Sequence, residues 1–574
     1  MNGQTERIPE ERREDDGKPV QAWEPAGGGP PAAESTWKTR SGMLQGAALL
    51  GIAAIVSKLI GTLQKIPLQN LAGDTVFGIY NAVYPLYTLI LFLATAGFPL
   101  VVSKFVSECA AQKRDGEALR VLRTASGVLT GTGLICFTLL YLGAEQLGSW
   151  MGAAQTAPAI RSVSFALLLV PVLSALRGYF QGYGDMAPTA WSQVGEQTVR
   201  VLTMFALLMT FLWIGAAPET IAAGATLGSA AGAAAGLLMM LFHWRRSRSG
   251  RVAGRLPWAW KADLDLARRI ALYAIPLCLG SIAMPILTLV DSFTVPRLLL
   301  GAGYDEPGAL YQFGLYNHGL PLVQLVAMIA SSMTAALVPA IAEAAGSSDR
   351  AQLRQRAGTA LRLAWMIGLP AAAGLALLAG PLNLMFYKST EGTPAMAVLS
   401  LTALFSVLNI AGSSVLQGLG AVRAPALYLL LAAGVKLAAN ALLVPRLGID
   451  GAAWAAVAAY ALAGGLALAH ALRAAGVPAA GGRGAMKAVL ATAFMAAGLL
   501  AVTHGAAPLL TQPAGAPAPR AAATAVALGG VAAGALVYAL AALRLGAVTA
   551  AELEAAPSLA QKPLRWLRRL RLLR

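Results

Sequence analysis

The sequence contains an internal repeat with a constant offset of 236 residues. The repeated residues are Phe77, Gly78, Tyr80, Asn81, Pro85 and Leu86, which recur as Phe313, Gly314, Tyr316, Asn317, Pro321 and Leu322. The same offset relates Gln181, Gly182 and Gly184 to Gln417, Gly418 and Gly420, and Arg200 to Lys436. The matched positions lie inside or beside long apolar stretches. The repeat therefore predicts a duplicated membrane bundle, an architecture in which transporters place their substrate path between the halves.

Composition supports the membrane prediction. Hydrophobic residues make up 57% of the chain and charged residues 12%, with a mean hydropathy of +0.62, whereas roughly a quarter of the residues in a soluble domain are charged. Apolar stretches of about 20 residues are long enough to cross a bilayer as helices. The sequence predicts fourteen, near residues 43–65, 76–102, 121–143, 159–180, 188–214, 220–243, 270–297, 311–341, 359–380, 394–418, 424–444, 451–472, 486–508 and 521–546.

The loop charges predict the orientation. If the N-terminus is cytoplasmic, the even-numbered loops carry most of the Lys and Arg residues, including Arg245 to Arg255 and Arg350 to Arg356. The odd-numbered loops carry mainly acidic residues such as Asp74, Asp305 and Glu306. This asymmetry favours a cytoplasmic location for both termini. The basic residues of these cytoplasmic loops also account for much of the formal net charge of +17. The basic composition therefore does not indicate nucleic acid as a partner.

These predictions divide the chain into two parallel six-helix halves and an appendix. The halves are residues 43–243 and 270–472, joined by a basic linker at 244–269, and two further helices follow at 486–546. Residues 1–41 are polar and predict a disordered tail, and 547–574 form a basic cytoplasmic tail. No signal peptide is predicted. The three cysteines and four histidines share no disulfide or metal-ligand spacing. A substrate path within a single chain is expected.

Charged residues within the predicted spans are the candidates for function, because a charge in hydrocarbon needs a partner or a wet cavity. Four cations, Lys58, Lys65, Arg200 and Lys436, are candidates for holding an anionic head group such as a phosphate or pyrophosphate. Two acids, Asp291 and Glu196, are candidates for binding a coupling ion. Structural explanations stay open: Glu196 and Arg200 are spaced as an i, i+4 pair, and Lys65 lies where its side chain can reach the interface.

Asp291 has a structural alternative of its own. It is either a coupling carboxylate or the partner of Arg297 or of a basic residue on another span. Coupling to Na⁺, to H⁺ or to the membrane potential is left open by the sequence.

Prolines and glycines of the repeat are candidate hinges and gates. Pro85 and Pro321 are predicted to kink the interiors of the second and eighth spans. Gly182 and Gly184, like Gly418 and Gly420, end the fourth and tenth spans at the cytoplasmic side. They predict either an inner gate or plain tight connections.

The chain resembles the multidrug/oligosaccharidyl-lipid/polysaccharide exporter superfamily, and within it the MurJ-like branch that includes the SpoVB-type proteins. The resemblance covers about residues 43–546 and rests on the fourteen spans in two halves, on Ser57 to Gly61, on Pro85 with Ala94 to Gly97, and on Gln-Gly-x-Gly after the fourth and tenth spans. In the branch's pattern, Lys58 takes the first basic position of span one. Gln64, with Lys65 beside it, stands at the second, and the basic position early in span eight has His318.

Membership implies a multi-pass protein of the bacterial cytoplasmic membrane without catalytic residues, metal or cofactor. It also implies export of an undecaprenyl-pyrophosphate-linked sugar precursor, with lipid-linked glycan and membrane lipids as partners. The main alternative is a cation- or proton-coupled multidrug antiporter of the same superfamily. The mainly basic charges within the spans argue against this alternative. A membrane glycosyltransferase would need grouped acids or histidines on one face, and a scaffold would not need buried charges in both halves.

Overall fold

The computed structural model describes residues 37–95, 98–246, 260–347, 349–478, 482–510 and 519–546. In these ranges the chain forms helices joined by short turns and contains no strand. Most of the predicted N-terminal tail, the middle of the basic linker and the predicted C-terminal tail lie outside the described residues.

The first half and second half each contain a series of helices. The first half comprises α1 (Trp37–Leu63), α2 (Lys65–Thr95), α3 (Phe98–Ala111), α4 (Asp115–Leu142), α5 (Ala144–Met151), α6 (Ala157–Ser164), α7 (Ala166–Gly182), α8 (Ala187–Trp213) and α9 (Pro218–Arg246). The second half comprises α10 (Trp260–Gly301), α11 (Glu306–Tyr316), α12 (Leu320–Gly346), α13 (Arg350–Leu377), α14 (Ala379–Tyr387), α15 (Thr393–Ser400), α16 (Thr402–Gly418) and α17 (Arg423–Ala474). The appendix is α18 (Gly482–Leu510) and α19 (Pro519–Arg544).

The prediction of an all-helical membrane protein is confirmed, and each predicted span falls on one or more of these helices. By length and hydropathy, ten stretches of the described helices qualify as membrane spans. Three of the ten are 64, 41 and 52 residues long, well beyond the length of about 20 residues that crosses a bilayer. The longest single helix, α17, contains a non-helical residue at Gly448. The number fourteen itself is not confirmed.

The repeat motif forms a close contact between the two halves. On α2, Gly78 faces the carbonyl oxygen of Leu310 on α11, and Gly314 on α11 faces the carbonyl oxygen of Asp74 on α2. Leu310 lies 236 residues after Asp74, as Gly314 does after Gly78, so the two contacts exchange under the internal symmetry. This reciprocity is the property of a two-fold contact, produced here within one chain. Only glycine lets the two backbones approach this closely.

Alanine at either of these glycines is expected to destabilise the contact. The added methyl group would overlap a carbonyl oxygen of the facing backbone, and overpacking of this kind costs about 1–3 kcal/mol. Gly78→Ala and Gly314→Ala should therefore lower the midpoint of thermal unfolding in detergent. The matched control is Gly434→Ala, because Gly434 lies within α17 with nothing within 4 Å of an added Cβ. Equal midpoints for all three variants would contradict the assignment.

We call the two ends of the bundle outer and inner, following the predicted orientation. The largest buried apolar cluster lies toward the outer end and draws on both halves: it includes Phe77 and Val83 of α2, Phe313 of α11, and Val444 and Ile449 of α17. The apolar clusters toward the inner end stay within one half, apart from Ile270 and Ala274 of α10, which pack on the first half. This cluster therefore joins the two halves at the outer end, and we call it the outer seal.

The glycine turns at the inner end are tight helix terminations. Gly184 and Gly420 both have positive φ angles, 77° and 84°, as expected for residues that end a helix. Gly182 packs against Val106 of α3, and Gly418 packs in the equivalent way against Ile341 of α12. The arrangement agrees with plain tight connections. The alternative role as an inner gate stays a prediction.

The two repeated prolines occupy different positions. Pro85 lies inside α2, as predicted. Pro321, in contrast, lies in the first turn of α12, after a break at Asn317 to Gly319. The prediction that Pro321 kinks a helix interior is wrong in this respect, because at the first turn proline removes no helical hydrogen bond.

Cysteine labelling tests the orientation. Cysteines placed within 346–356 and 245–262 are expected to be protected from impermeant thiol reagents in intact cells, because these segments carry the basic charges that stay cytoplasmic. Cysteines within 303–308 should react. The reverse pattern would show that the outer and inner ends are exchanged.

Candidate functional site

A basic cluster lies within the first half. In it, Glu196 of α8 bridges two arginines: its Oε2 accepts a hydrogen bond from Arg177 Nη2 at 2.9 Å, and its Oε1 lies 3.5 Å from Arg200 Nη2. Side-chain exposures are 13%, 16% and 11% for Arg177, Glu196 and Arg200. The predicted i, i+4 pair is therefore present, but Glu196 binds Arg177 more closely. One carboxylate is shared between two cations.

Lys65 extends the cluster toward the outer end. Its side chain is buried, and its ammonium donates to Asn81 Oδ1 at 3.2 Å. The ammonium also lies 5.8 Å from the centre of the Tyr84 ring, within the range of a cation–π contact. Tyr84 accepts a hydrogen bond from Arg200 at 3.4 Å, so this ring connects the two cations. Lys65 is drawn into the protein rather than toward an interface.

The cluster carries an excess of positive charge and unused hydrogen-bonding groups. The cluster has three cations, Lys65, Arg177 and Arg200, and one carboxylate, Glu196, which contacts the two arginines but not Lys65, so two positive charges are unbalanced among these four residues. Arg200 Nε and Gln197 Nε2 are buried and have no hydrogen-bond partner among the described residues. Buried charges and donors are normally satisfied. An anionic group bound here would supply the missing acceptors.

The equivalent site of the second half is neutral. The Lys436 ammonium donates to Asp291 Oδ2 at 2.6 Å and to the Leu287 carbonyl at 3.0 Å. Asp291 also accepts from Asn440 at 3.1 Å and from the Tyr316 hydroxyl at 2.8 Å. The Lys436 and Asp291 residues are only 1% and 2% exposed. The sequence predicted either Arg297 or a basic residue on another span as the partner of Asp291. In the structure the partner is Lys436, a basic residue on another span.

The other predicted residues occupy separate places. Lys58 lies on an exposed face of α1, whereas Lys436 is enclosed by its carboxylate partner, so the two lysines do not converge on one open site in this structure. Arg297, the other partner predicted for Asp291, donates instead to the Trp150 carbonyl at 3.5 Å. The roles of Lys58 and Lys436 in binding a head group stay predictions.

A buried histidine, His318, joins the halves at the outer end. The resemblance placed it at the basic position early in span eight, but the sequence did not predict its contact with the first half. His318 Nε2 lies 2.7 Å from Asp74 Oδ1, and its Nδ1 lies 2.8 Å from Asn383 Oδ1. Its ring stacks on Tyr387 with a centroid separation of 4.0 Å. The available signal was its position directly after the repeated Tyr316-Asn317. The partner Asp74, however, is 244 residues away, and no local pattern relates the two.

No group of three or more His, Cys, Asp or Glu side chains is arranged to hold a metal ion within the described part of the chain.

Comparison with known families gives two overlapping matches. Residues 43–345 match the family model described as polysaccharide biosynthesis protein, and residues 276–442 match the MatE model. The first match covers more than half of the chain and includes the basic cluster. The second includes the Asp291–Lys436 pair.

Related proteins occur in Bacillus subtilis (strain 168). The chain is 33% identical to the uncharacterized membrane protein YabM, over 74% of this chain and 78% of that protein. It is 28% identical to the lipid II flippase MurJ, over 73% of this chain and 80% of MurJ. It is 26% identical to the stage V sporulation protein B, over 73% of this chain and 81% of that protein.

Solved structures with the same fold are transporters. An inward-facing multidrug resistance MATE family transporter of the MOP superfamily superposes with a TM-score of 0.62 at 16% identity, covering 73% of this chain and 94% of that one. Lipid II flippase MurJ in an inward closed conformation gives a TM-score of 0.61 at 14% identity, covering 86% of this chain and 98% of MurJ. The relatives with stated activities are flippases and transporters rather than enzymes. The chain belongs to the polysaccharide biosynthesis protein family, within the multidrug/oligosaccharidyl-lipid/polysaccharide exporter superfamily.

Proposed function

We propose that this protein moves an undecaprenyl-pyrophosphate-linked sugar precursor, a lipid II-like peptidoglycan or polysaccharide intermediate, across the cytoplasmic membrane by alternating access. The observation that carries the proposal is the unbalanced positive charge of the basic cluster in the first half. A pyrophosphate offers several acceptors to Arg and Lys donors. The similarity to the lipid II flippase MurJ supports the same substrate class.

The proposed binding mode uses the cluster as one wall of the path. Within the part of the chain that the structure describes, the Arg200 Nε has no acceptor, and the Lys65 ammonium contacts the neutral Asn81 and the Tyr84 ring. Both therefore have donors for an anion. Glu196 holds Arg177 and Arg200 in position and offsets part of their positive charge. Lys58, on the exposed face of α1, is proposed to attract the head group before it enters.

The conformational cycle is proposed to begin from the state seen here. The halves are joined by the apolar cluster at the outer end, so the head group enters from the inner side. Release outward then requires the contact of α2 with α11 to open. The reciprocal Gly78 and Gly314 packing provides a surface along which the two halves can separate as rigid bodies.

The alternative, a cation- or proton-coupled multidrug antiporter, is favoured by the match of residues 276–442 to the MatE model. That region contains Asp291, the acid that would bind the cation. Its carboxylate already accepts from Lys436, Asn440 and Tyr316, and a bound cation would have to displace the Lys436 ammonium. This makes the flippase the better-supported proposal.

Proteoliposomes distinguish the two functions. Purified protein is reconstituted with labelled undecaprenyl-pyrophosphate-linked glycan, and access of an impermeant enzyme to the glycan measures transfer between leaflets. Protein-dependent transfer is expected, together with no gradient-driven uptake of organic cations. Cation uptake without glycan transfer would overturn the proposal in favour of the antiporter.

A further inference from the structure

The outer seal contains a polar connection between the halves whose geometry requires an additional proton. His318 lies in the break between α11 and α12, Asp74 belongs to α2 of the first half, and Asn383 belongs to α14. The three residues are 0%, 8% and 0% exposed. The three side chains are therefore enclosed by protein in this structure.

The orientation of the Asn383 amide is set by its other partners. Its Nδ2 donates to the Glu391 carbonyl at 2.8 Å and to Thr393 Oγ1 at 3.0 Å. A carbonyl oxygen only accepts, so the amide nitrogen must face Glu391. The amide oxygen is then the atom that lies 2.8 Å from His318 Nδ1, and this ring nitrogen must carry a proton.

The second ring nitrogen also faces an acceptor. His318 Nε2 lies 2.7 Å from Asp74 Oδ1, which in addition accepts from Gln69 Nε2 at 3.0 Å. Each of the two contacts needs one proton, because Asn383 Oδ1 and Asp74 Oδ1 are both acceptors. A neutral histidine beside an ionised aspartate supplies only one, so His318 and Asp74 together hold one proton more than that. Loss of that proton leaves a nitrogen lone pair against an oxygen, and one of the two contacts becomes repulsive.

Among the described residues, the other ionisable groups that contact or lie near the pair are Tyr387, Tyr311 and Glu391. Tyr387 stacks on the imidazole, and both Tyr387 and Tyr311 lie near Asp74. The Tyr311 hydroxyl donates to the Glu391 carboxylate at 2.9 Å. The elements packed on His318 thus supply Asp74 as the acid in direct contact with it.

We infer that His318, Asp74 and Asn383 form a proton-operated latch that holds the outer ends of the two halves together. With the proton bound, the latch joins the first half to α12 and α14 and favours the state sealed at the outer end. Because the latch lies at that end, protons come from the external side. Low external pH favours the sealed state, and rising pH favours opening. The inference rests on the proposed function only in treating the halves as parts that separate.

The test uses a cysteine buried in the outer seal and contains no glycan. The three native cysteines are replaced by alanine, and Ala309→Cys is introduced on α11, where the residue is 0% exposed. Proteoliposomes are treated with an impermeant thiol reagent at external pH values from about 5.5 to about 8.5, which span the ordinary titration of histidine. Ala302→Cys, at an exposed outer position, corrects for thiolate formation and for mixed orientation.

Corrected labelling at position 309 is expected to rise with pH, by up to about tenfold per pH unit, the limit for release of one proton. His318→Gln and Asp74→Asn should remove this dependence. The control His470→Gln should retain it, because His470 is bonded to Tyr428 within the second half. Asn383→Asp adds a second carboxylate beside the imidazole and should shift the rise to higher pH.

Parent protein whose labelling does not change with pH would overturn the latch, as would a His318→Gln variant that retains the parent response. If His318→Gln does not fold, Asn383→Asp decides, and an unshifted midpoint rejects the inference. Because no glycan is present, the measurement stands whether or not the protein moves the proposed substrate. Absence of glycan transfer with a normal pH response would reject only the proposed function.

Discussion

Arg200→Gln is expected to slow transfer of the lipid-linked glycan about tenfold to a hundredfold, and Lys65→Gln is expected to have an effect of the same order. Each substitution removes a charged hydrogen-bond donor from the proposed pyrophosphate site, an interaction that contributes about 1.5–3 kcal/mol. Arg200→Lys should retain more activity than Arg200→Gln, since it keeps the charge but loses the planar pair of donors. The measurement is the initial rate of transfer in proteoliposomes.

These variants are expected to fold, because neither leaves a buried charge without a partner. When Arg200 is removed, Glu196 keeps Arg177 at 2.9 Å, and Lys65 has the neutral Asn81 as its hydrogen-bond acceptor. Arg161→Gln is the matched control: Arg161 belongs to the same half but pairs with Glu145 at the outer surface, where its side chain is 40% exposed. Parent-like transfer by both Lys65→Gln and Arg200→Gln would remove the basic cluster from the mechanism.

Asp291→Asn and Lys436→Met are expected to lower the yield of folded protein strongly when made singly. Each leaves the opposite charge buried, a change that costs about 3–5 kcal/mol. The pair Asp291→Leu with Lys436→Met removes both charges and should recover much of the loss, since replacing a buried ion pair by apolar residues is often neutral. Yield of monodisperse protein and the midpoint of thermal unfolding in detergent report the effect.

The control for this experiment is the neutral neighbour Thr294, which accepts from Asn440 at 2.8 Å. Thr294→Val should cost less than either charge removal, because no unpaired ion remains. A coupling carboxylate would behave differently: Asp291→Asn would fold like the parent while its transport lost dependence on sodium or pH gradients. That outcome would replace the structural interpretation with the coupling role.

The repeat and the hydropathy pattern were sufficient to predict the all-helical membrane class. They were sufficient because the bilayer accepts only helices or closed barrels, and because the repeat places equivalent residues at equivalent depths. The break at Asn317 to Gly319 was not predictable in this way. Asn81 and Asn317 share the same local motif, yet only the second copy interrupts its helix. Pro85 consequently lies within a helix and Pro321 at the start of one.

The candidate residues were predictable as a set, but of the pairs between individual residues only the local pair of Glu196 with Arg200 was. Intramembrane charge identified Glu196, Arg200, Asp291 and Lys436, because an ionisable side chain in hydrocarbon requires a partner or a function. Which of them are neutralised depends on distances between helices far apart in the chain, such as the 145 residues between Asp291 and Lys436.

Fold class could be predicted from the sequence, whereas the pairing of distant side chains could not, and this difference has a physical reason. Helical periodicity, hydropathy, loop charge and the repeat depend on neighbouring residues and on the bilayer, so fold class and predicted orientation follow from the sequence alone. Pairing depends on how the helices pack in three dimensions. Only packing places Lys436 against Asp291, leaves the first-half cluster with excess positive charge, and brings His318 to Asp74 across 244 residues. The repeated sequence thus specified two similar bundles, while tertiary contacts made the site around Lys436 neutral and left the equivalent site around Arg200 basic.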